Sequence, residues 1–131
     1  MAQRKQLDAG TTGKELPARA ADSPKGFRMS ASRTIAVTVD RVYAAWMDGG
    51  ARAQWLRNDE LVVTDATPAI SLRGDWGTTR VCVFIMPRGT GRANVTVDQE
   101  LLPTAKKAAQ MKKFWQARLG RLAAALERAR G

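Results

Sequence analysis

The sequence predicts a single α+β domain, a curved antiparallel sheet of five strands wrapped around one long C-terminal helix, with two short helices after the first strand. Three observations carry this. Five segments between residues 32 and 101 alternate apolar and polar side chains with the period of two that suits a half-buried strand, and turn-forming residues separate the last four. Between the first and second of them, "DRVYAAWMDGGARAQWL" (Asp40 to Leu56) changes to helical spacing around a glycine pair. After Pro103 no further proline occurs, and apolar residues recur three and four apart.

A chain of 131 residues can bury one core and is short for two. Residues 1–25 are mainly Ala, Gly, Thr, Lys, Arg and Asp with little to bury, so they are expected to form a flexible tail ahead of one domain over 26–131. The first strand is "SRTIAVTV", in which Ile35, Val37 and Val39 alternate with Thr34, Ala36 and Thr38. Thr38 or Asp40 can cap the helix that follows, whose buried stripe is Val42, Ala45 and Trp46. Gly49 and Gly50 are expected to end it, and Asp48 to cap a second short helix in which Ala51 and Trp55 share a face.

"ELVVTDA", "AISLRGDW", "TRVCVFIM" and "ANVTVDQEL" are the remaining strands, broken at Thr67-Pro68, Gly77-Thr78 and Pro87 to Gly91. Connections this short join antiparallel neighbours, so these four strands should form a meander. One face is then continuously apolar: Ile70, Leu72 and Trp76, then Val81, Val83 and Ile85, then Val95 and Val97. The other face of the fourth strand carries Cys82, Phe84 and Met86, unusual for a side turned to water. It should be covered by the N-terminal segment, or meet a protein partner or a second copy in a homodimer. On the last helix Met111, Trp115, Leu119, Leu122 and Leu126 fall within an arc of roughly 80° at about 100° per residue, with Lys106, Lys107, Lys113, Arg118 and Arg121 outside it.

Composition narrows the function classes. Histidine is absent, which excludes Ser-His-Asp and Cys-His catalysis and the zinc sites built on histidine. Cys82 is the only cysteine, flanked by valines as a buried, unreactive thiol would be, and a reducing cytoplasmic setting fits it. No apolar run is long enough to span a membrane, and none resembles a signal peptide. The net charge of +10 is uneven: residues 29–103 hold eight Lys/Arg against eight Asp/Glu, whereas 104–131 hold eight against one. A basic helix whose aromatic Trp115 lies inside the apolar stripe is a poor nucleic-acid binder, which would interleave stacking rings with its cations. Asp75, Asp98 and Glu100 alternate away from the apolar face, so no carboxylate pair is turned toward a buried substrate and no catalytic residue, metal or cofactor is expected.

The order and spacing of "SRTIAVTVDRVYAAW", "QWL", "SLRGDW" turning into "TRVCVFI", "VTVDQELL" and "FWQARLGRLAAAL" resemble the helix-grip fold of the START-like SRPBCC superfamily. Within it the chain is similar to the branch of activator of heat-shock protein 90 ATPase homologues, over about three-quarters of its length. That resemblance implies an apolar cavity between sheet, short helices and long helix that holds a lipid, polyketide or other hydrophobic molecule. The residues expected to line it are Tyr43, Trp46, Trp55, Leu72 and Trp76, with Val83, Ile85, Gln99, Trp115 and Leu119; Arg73 is a weaker polar candidate. Against this stands plain core formation, since large aromatic side chains stabilise small domains without any ligand. The alternatives are a protein-interaction module of chaperone-regulator type and, third, a polyketide-cyclase-like enzyme.

Overall fold

In the computed structural model, which describes residues 26–130, β1 spans Phe27–Ile35 and is followed by α1 (Val39–Met47), α2 (Gly49–Trp55), β2 (Leu61–Thr67), β3 (Ser71–Trp76), β4 (Thr79–Pro87), β5 (Ala93–Leu102) and α3 (Ala105–Arg130). The expected N-terminal tail, residues 1–25, lies outside the described residues. β1 begins at Phe27 rather than Ser32. Its inward residues there are Met29 and Ala31, both buried, but the small Ala31 and then Arg33 on the same face interrupt the apolar series before Ile35. It also stops sooner than expected, because the Val37 amide turns back to the Ile35 carbonyl at 2.9 Å. Val37 stays buried outside the ladder, and Val39 opens α1.

Thr38 stands at the N-cap of α1 without a side-chain bond; its carbonyl accepts from the Arg41 and Val42 amides at 3.1 and 3.2 Å. The stripe Val42, Ala45 and Trp46 is buried as expected. Gly49 and Gly50 do not end α1, however; they form the first turn of α2. The residue that divides the two helices is Asp48. Its amide donates to the Ala44 carbonyl at 3.0 Å, closing α1, while its Oδ1 accepts from the Gly50 and Ala51 amides at 2.9 and 3.4 Å, opening α2. A carboxylate that satisfies amides otherwise left free determines this boundary more strongly than the glycines do. Arg52 of α2 then donates from Nε to Asp59 Oδ2 at 2.8 Å and from Nη1 to the Trp46 carbonyl at 2.6 Å. That pair holds the loop after α2 against the end of α1.

The sheet is antiparallel throughout, in the order β1-β5-β4-β3-β2. β2 to β5 are the expected meander, and β1 is added beside β5. α3 crosses the inner face chiefly over β1, and α1 lies over β4 and β5. Leu72, Trp76, Val81, Val83, Ile85, Val95 and Val97 are buried beneath them in one core. Ile70 is the exception to the expected apolar face. It sits in the β2–β3 turn, 59% exposed, where the Ile70 amide donates to the Thr67 carbonyl at 3.0 Å. Pro68 second and Ala69 third, with φ of +62°, is the type II pattern, whose third position favours glycine. Ala69→Gly is therefore expected to raise stability by about 0.5–1 kcal/mol, read as a higher Tm in thermal unfolding.

Thr104, between Pro103 and the first residue of α3, caps the helix: its hydroxyl accepts from the Lys107 amide at 3.0 Å. Its stripe faces inward as the helical wheel requires: Met111, Trp115, Leu119 and Leu122 are buried and Leu126 is half-buried, while Lys106, Lys107, Lys113 and Arg121 are exposed. Near its end Glu127 Oε2 accepts from the Ala36 amide at 3.0 Å, fastening the helix to the β1–α1 corner.

Candidate functional site

The four tryptophans come from α1, α2, β3 and α3, and the fold brings all of them together. Trp46 meets Trp55 edge-on at 4.7 Å between ring centroids and stacks on Trp115 at 5.8 Å. Trp115 in turn meets Trp76 at 5.3 Å and Phe114 at 5.3 Å. The rings thus form a continuous array from α2 to the sheet, along the seam where α1 and α3 share the inner face. Leu72, Val83, Ile85 and Leu119 are buried in the same core, and Tyr43 is half-buried at its margin.

Gln99 is buried on β5 at 1% exposure, a polar side chain in an apolar wall. Its partners are internal. Trp115 Nε1 donates to Gln99 Oε1 at 2.9 Å, Gln99 Nε2 donates to Thr79 Oγ1 at 2.8 Å, and the Thr79 hydroxyl donates to the Trp76 carbonyl at 2.6 Å. This relay ties the long helix to the β3–β4 hairpin through two strands. Thr79 escaped the sequence reading; its only signal is a hydroxyl residue just after the Gly77-Thr78 turn. Trp55 Nε1 donates to the Ala45 carbonyl at 3.2 Å, whereas Trp46 Nε1 is buried with no acceptor among the described residues. Arg73 does not join this group. It is exposed on the outer face, 3.8 Å from Asp65.

Where α2 meets the C-terminal half of α3 lies a half-open cleft of about 320 Å³, lined by Gln54, Trp55, Arg121, Ala124, Ala125 and Arg128. Trp55 belongs to both features: it ends the ring array and forms a wall of the cleft. Apart from Trp55, none of these residues was among the expected lining. The usable signal was the spacing Arg121, Ala124, Ala125, Arg128, which puts small and cationic side chains on one flank of the helix.

On the outer face of β4, Phe84 is 45% and Met86 62% exposed, and Cys82 is half-buried rather than enclosed. Partial burial, followed by the Glu100 carboxylate, holds the Cys82 thiol above its ordinary pKa, so little thiolate forms at neutral pH. The cations of α3 stand elsewhere; of its rings, Phe114 is engaged by Arg118, whose guanidinium lies 4.6 Å from the ring centre. Among the described residues no cluster of acidic, Cys or His side chains could hold a metal ion, and no helix is long and apolar enough to cross a membrane.

No family model matches the sequence, and neither does any curated protein. Solved structures do. The Aha1 dimer from Colwellia psychrerythraea superposes with a TM-score of 0.67 at 15% identity, covering 79% of this chain and 98% of that one. The AHSA1 protein from Silicibacter pomeroyi gives 0.63 at 18% identity, covering 76% and 97%. The fold is the helix-grip fold of AHSA1-like proteins. A putative protein of the dynemicin biosynthetic locus shares it too, with a TM-score of 0.64 at 23% identity over 76% of this chain and 47% of that one. At these identities the likeness is one of architecture: the helix-grip domain here has the same order of sheet, short helices and long helix.

Proposed function

We propose that this helix-grip domain binds, without catalysis, a small molecule with a hydrophobic body, held between the indole array and α3 and reached through the α2–α3 cleft. The observation that carries the reading is the double position of Trp55, at the end of the ring array and on the wall of a space of about 320 Å³. That volume reaches the lower end of the roughly 300–1,000 Å³ of small-ligand sites, and one indole, two alanines and three polar side chains line it. The unpaired Trp46 Nε1 beside Trp55 offers a buried donor to an acceptor group. Because the four indoles touch one another, ligand access to Tyr43, Leu72, Trp76 and Gln99 requires the rings to part, and Trp55 is the first to move. Asp75, Asp98 and Glu100 lie on the outer face of the sheet, which favours binding over acid–base chemistry. The fold likeness to a protein of a biosynthetic locus agrees with a small-molecule role.

The test is titration with dodecanoate and with a flat aromatic such as naphthalene, read by tryptophan fluorescence and thermal unfolding. Binding to the folded state alone stabilises it by about 2.7 kcal/mol at a hundredfold excess over Kd. A fluorescence shift with a raised Tm, both lost in Trp55→Leu, is the expected result. No change in either signal with millimolar ligand overturns the reading.

A protein-interaction role has its own support on the outer face. The register sets Arg73 of β3, Cys82 of β4 and Asp98 of β5 in one row across the sheet, next to the exposed Phe84 and Met86. A two-fold axis parallel to β4 would lay Arg73 of each copy over Asp98 of the other and close the two apolar strips together, so the occupant this face fits is a second copy. Sedimentation should then show self-association that Arg73→Glu and Asp98→Arg each weaken and their combination restores. Monomers at 100 µM, or a combination no better than its parts, remove this reading.

A further inference from the structure

We infer that the α2–α3 cleft selects a ligand with an anionic head, a carboxylate, sulfonate or phosphate joined to the apolar body; this rests on the small-molecule reading above. The cleft is chemically two-sided. Trp55 and the methyl groups of Ala124 and Ala125 form an apolar part, and Arg121, Arg128 and the Gln54 amide form a polar one. Neither arginine is paired with a carboxylate among the described residues; the acidic residue nearest in sequence, Glu127, is turned to the Ala36 amide. The arginine of α2 behaves differently, since Arg52 is committed to Asp59 and to the Trp46 carbonyl.

Two planar, permanently charged forks at i and i+7 lie on the same flank of α3, two turns apart, at the rim of one cleft. Guanidinium groups grip planar and tetrahedral oxyanions through paired N–H donors, and they do so better beside an apolar wall than in open water. Cations near a helix C-terminus also answer its partial negative charge. That role accounts for Arg128 close to the end of α3. It does not account for Arg121, which stands more than two turns from the end. A neutral ligand would leave both forks to water, and an anion without an apolar body would leave Trp55 unused.

The experiment compares two dyes with one ring body on the full chain: the sulfonate 1-anilinonaphthalene-8-sulfonate and the neutral N-phenyl-1-naphthylamine, each followed by energy transfer from tryptophan. The sulfonate is expected to bind at least about tenfold more tightly at low salt and to lose that advantage as salt is raised. Arg121→Gln and Arg128→Gln should each lower sulfonate affinity more than they lower that of the neutral dye, and together they should bring the two dyes level. Circular dichroism of the variants checks that the helix is intact. Equal binding of both dyes, or a preference that survives in the double variant, overturns the anionic selection while leaving the small-molecule reading in place. Binding of neither dye overturns both.

Discussion

Trp115→Ala is expected to lower the stability of the domain by about 3–5 kcal/mol, enough to unfold a large share of the molecules at moderate temperature. Trp115 is fully buried at the crossing of three elements, touching Trp46 of α1, Trp76 of β3 and its neighbour Phe114. Removing it opens a cavity that these rings cannot close, and it also strands Gln99 Oε1. The two losses can be separated. Gln99→Leu keeps the ring but leaves the Trp115 N–H without an acceptor, at about 1–3 kcal/mol. Trp115→Phe keeps most of the apolar volume and gives up the hydrogen bond. Urea melts of the two single variants and their combination should show coupling, with the double variant costing less than the sum of its parts. Full additivity would mean that the bond from Trp115 to Gln99 adds no coupling of its own.

Gly74→Ala is the second large effect, expected at about 3 kcal/mol although it adds a single methyl group. β2 shifts register against β3 between Val63 and Asp65, which brings its backbone across Gly74. A Cβ on residue 74 would collide with the Val62 carbonyl oxygen and lie 2.9 Å from Val63 Cα. Those are backbone atoms, so relief requires β2 to move as a strand. Gly49→Ala is the matching control, since a Cβ there meets nothing within 4 Å and alanine suits the first turn of a helix. Thermal melts should place the two substitutions on opposite sides of the wild type. If Gly74→Ala melts like the control, the close approach of β2 is not maintained in solution.

Much of this architecture could be read from the sequence because its pattern is redundant. The α3 stripe repeats over five positions, so one stray polar residue cannot hide it, and the meander is marked both by alternation and by Pro and Gly in its turns. Errors arose where one local feature had to decide. At Asp48-Gly49-Gly50 the glycines suggested a helix end, whereas the carboxylate before them began a helix. At Phe27 to Ile35 the inner side of an edge strand reads Phe, Met, Ala, Arg, Ile, and the arginine in that series hid its first half. Ile70 has an apolar side chain and strand-like neighbours, but the turn that Pro68 forces leaves it exposed. For the candidate site, sequence reasoning named all four indoles and Gln99 without showing that they would touch one another. It missed Gln54, Arg121 and Arg128, because a cleft between two helices depends on how those helices meet and not on the period of either one.

The placement of β1 also dictates an order of assembly. Ile35 must wait for Ala93, and Phe27 for Leu102, while β2 to β5 can zip together from neighbouring turns as the nascent chain emerges. Closure of the outermost strand and docking of the terminal helix then belong to the last, slowest stage, because α3 lies mainly on β1. A ribosome-bound chain in which α3 is still unmade would display the greasy inner side of the sheet, which makes it the species most exposed to clumping and to chaperone capture.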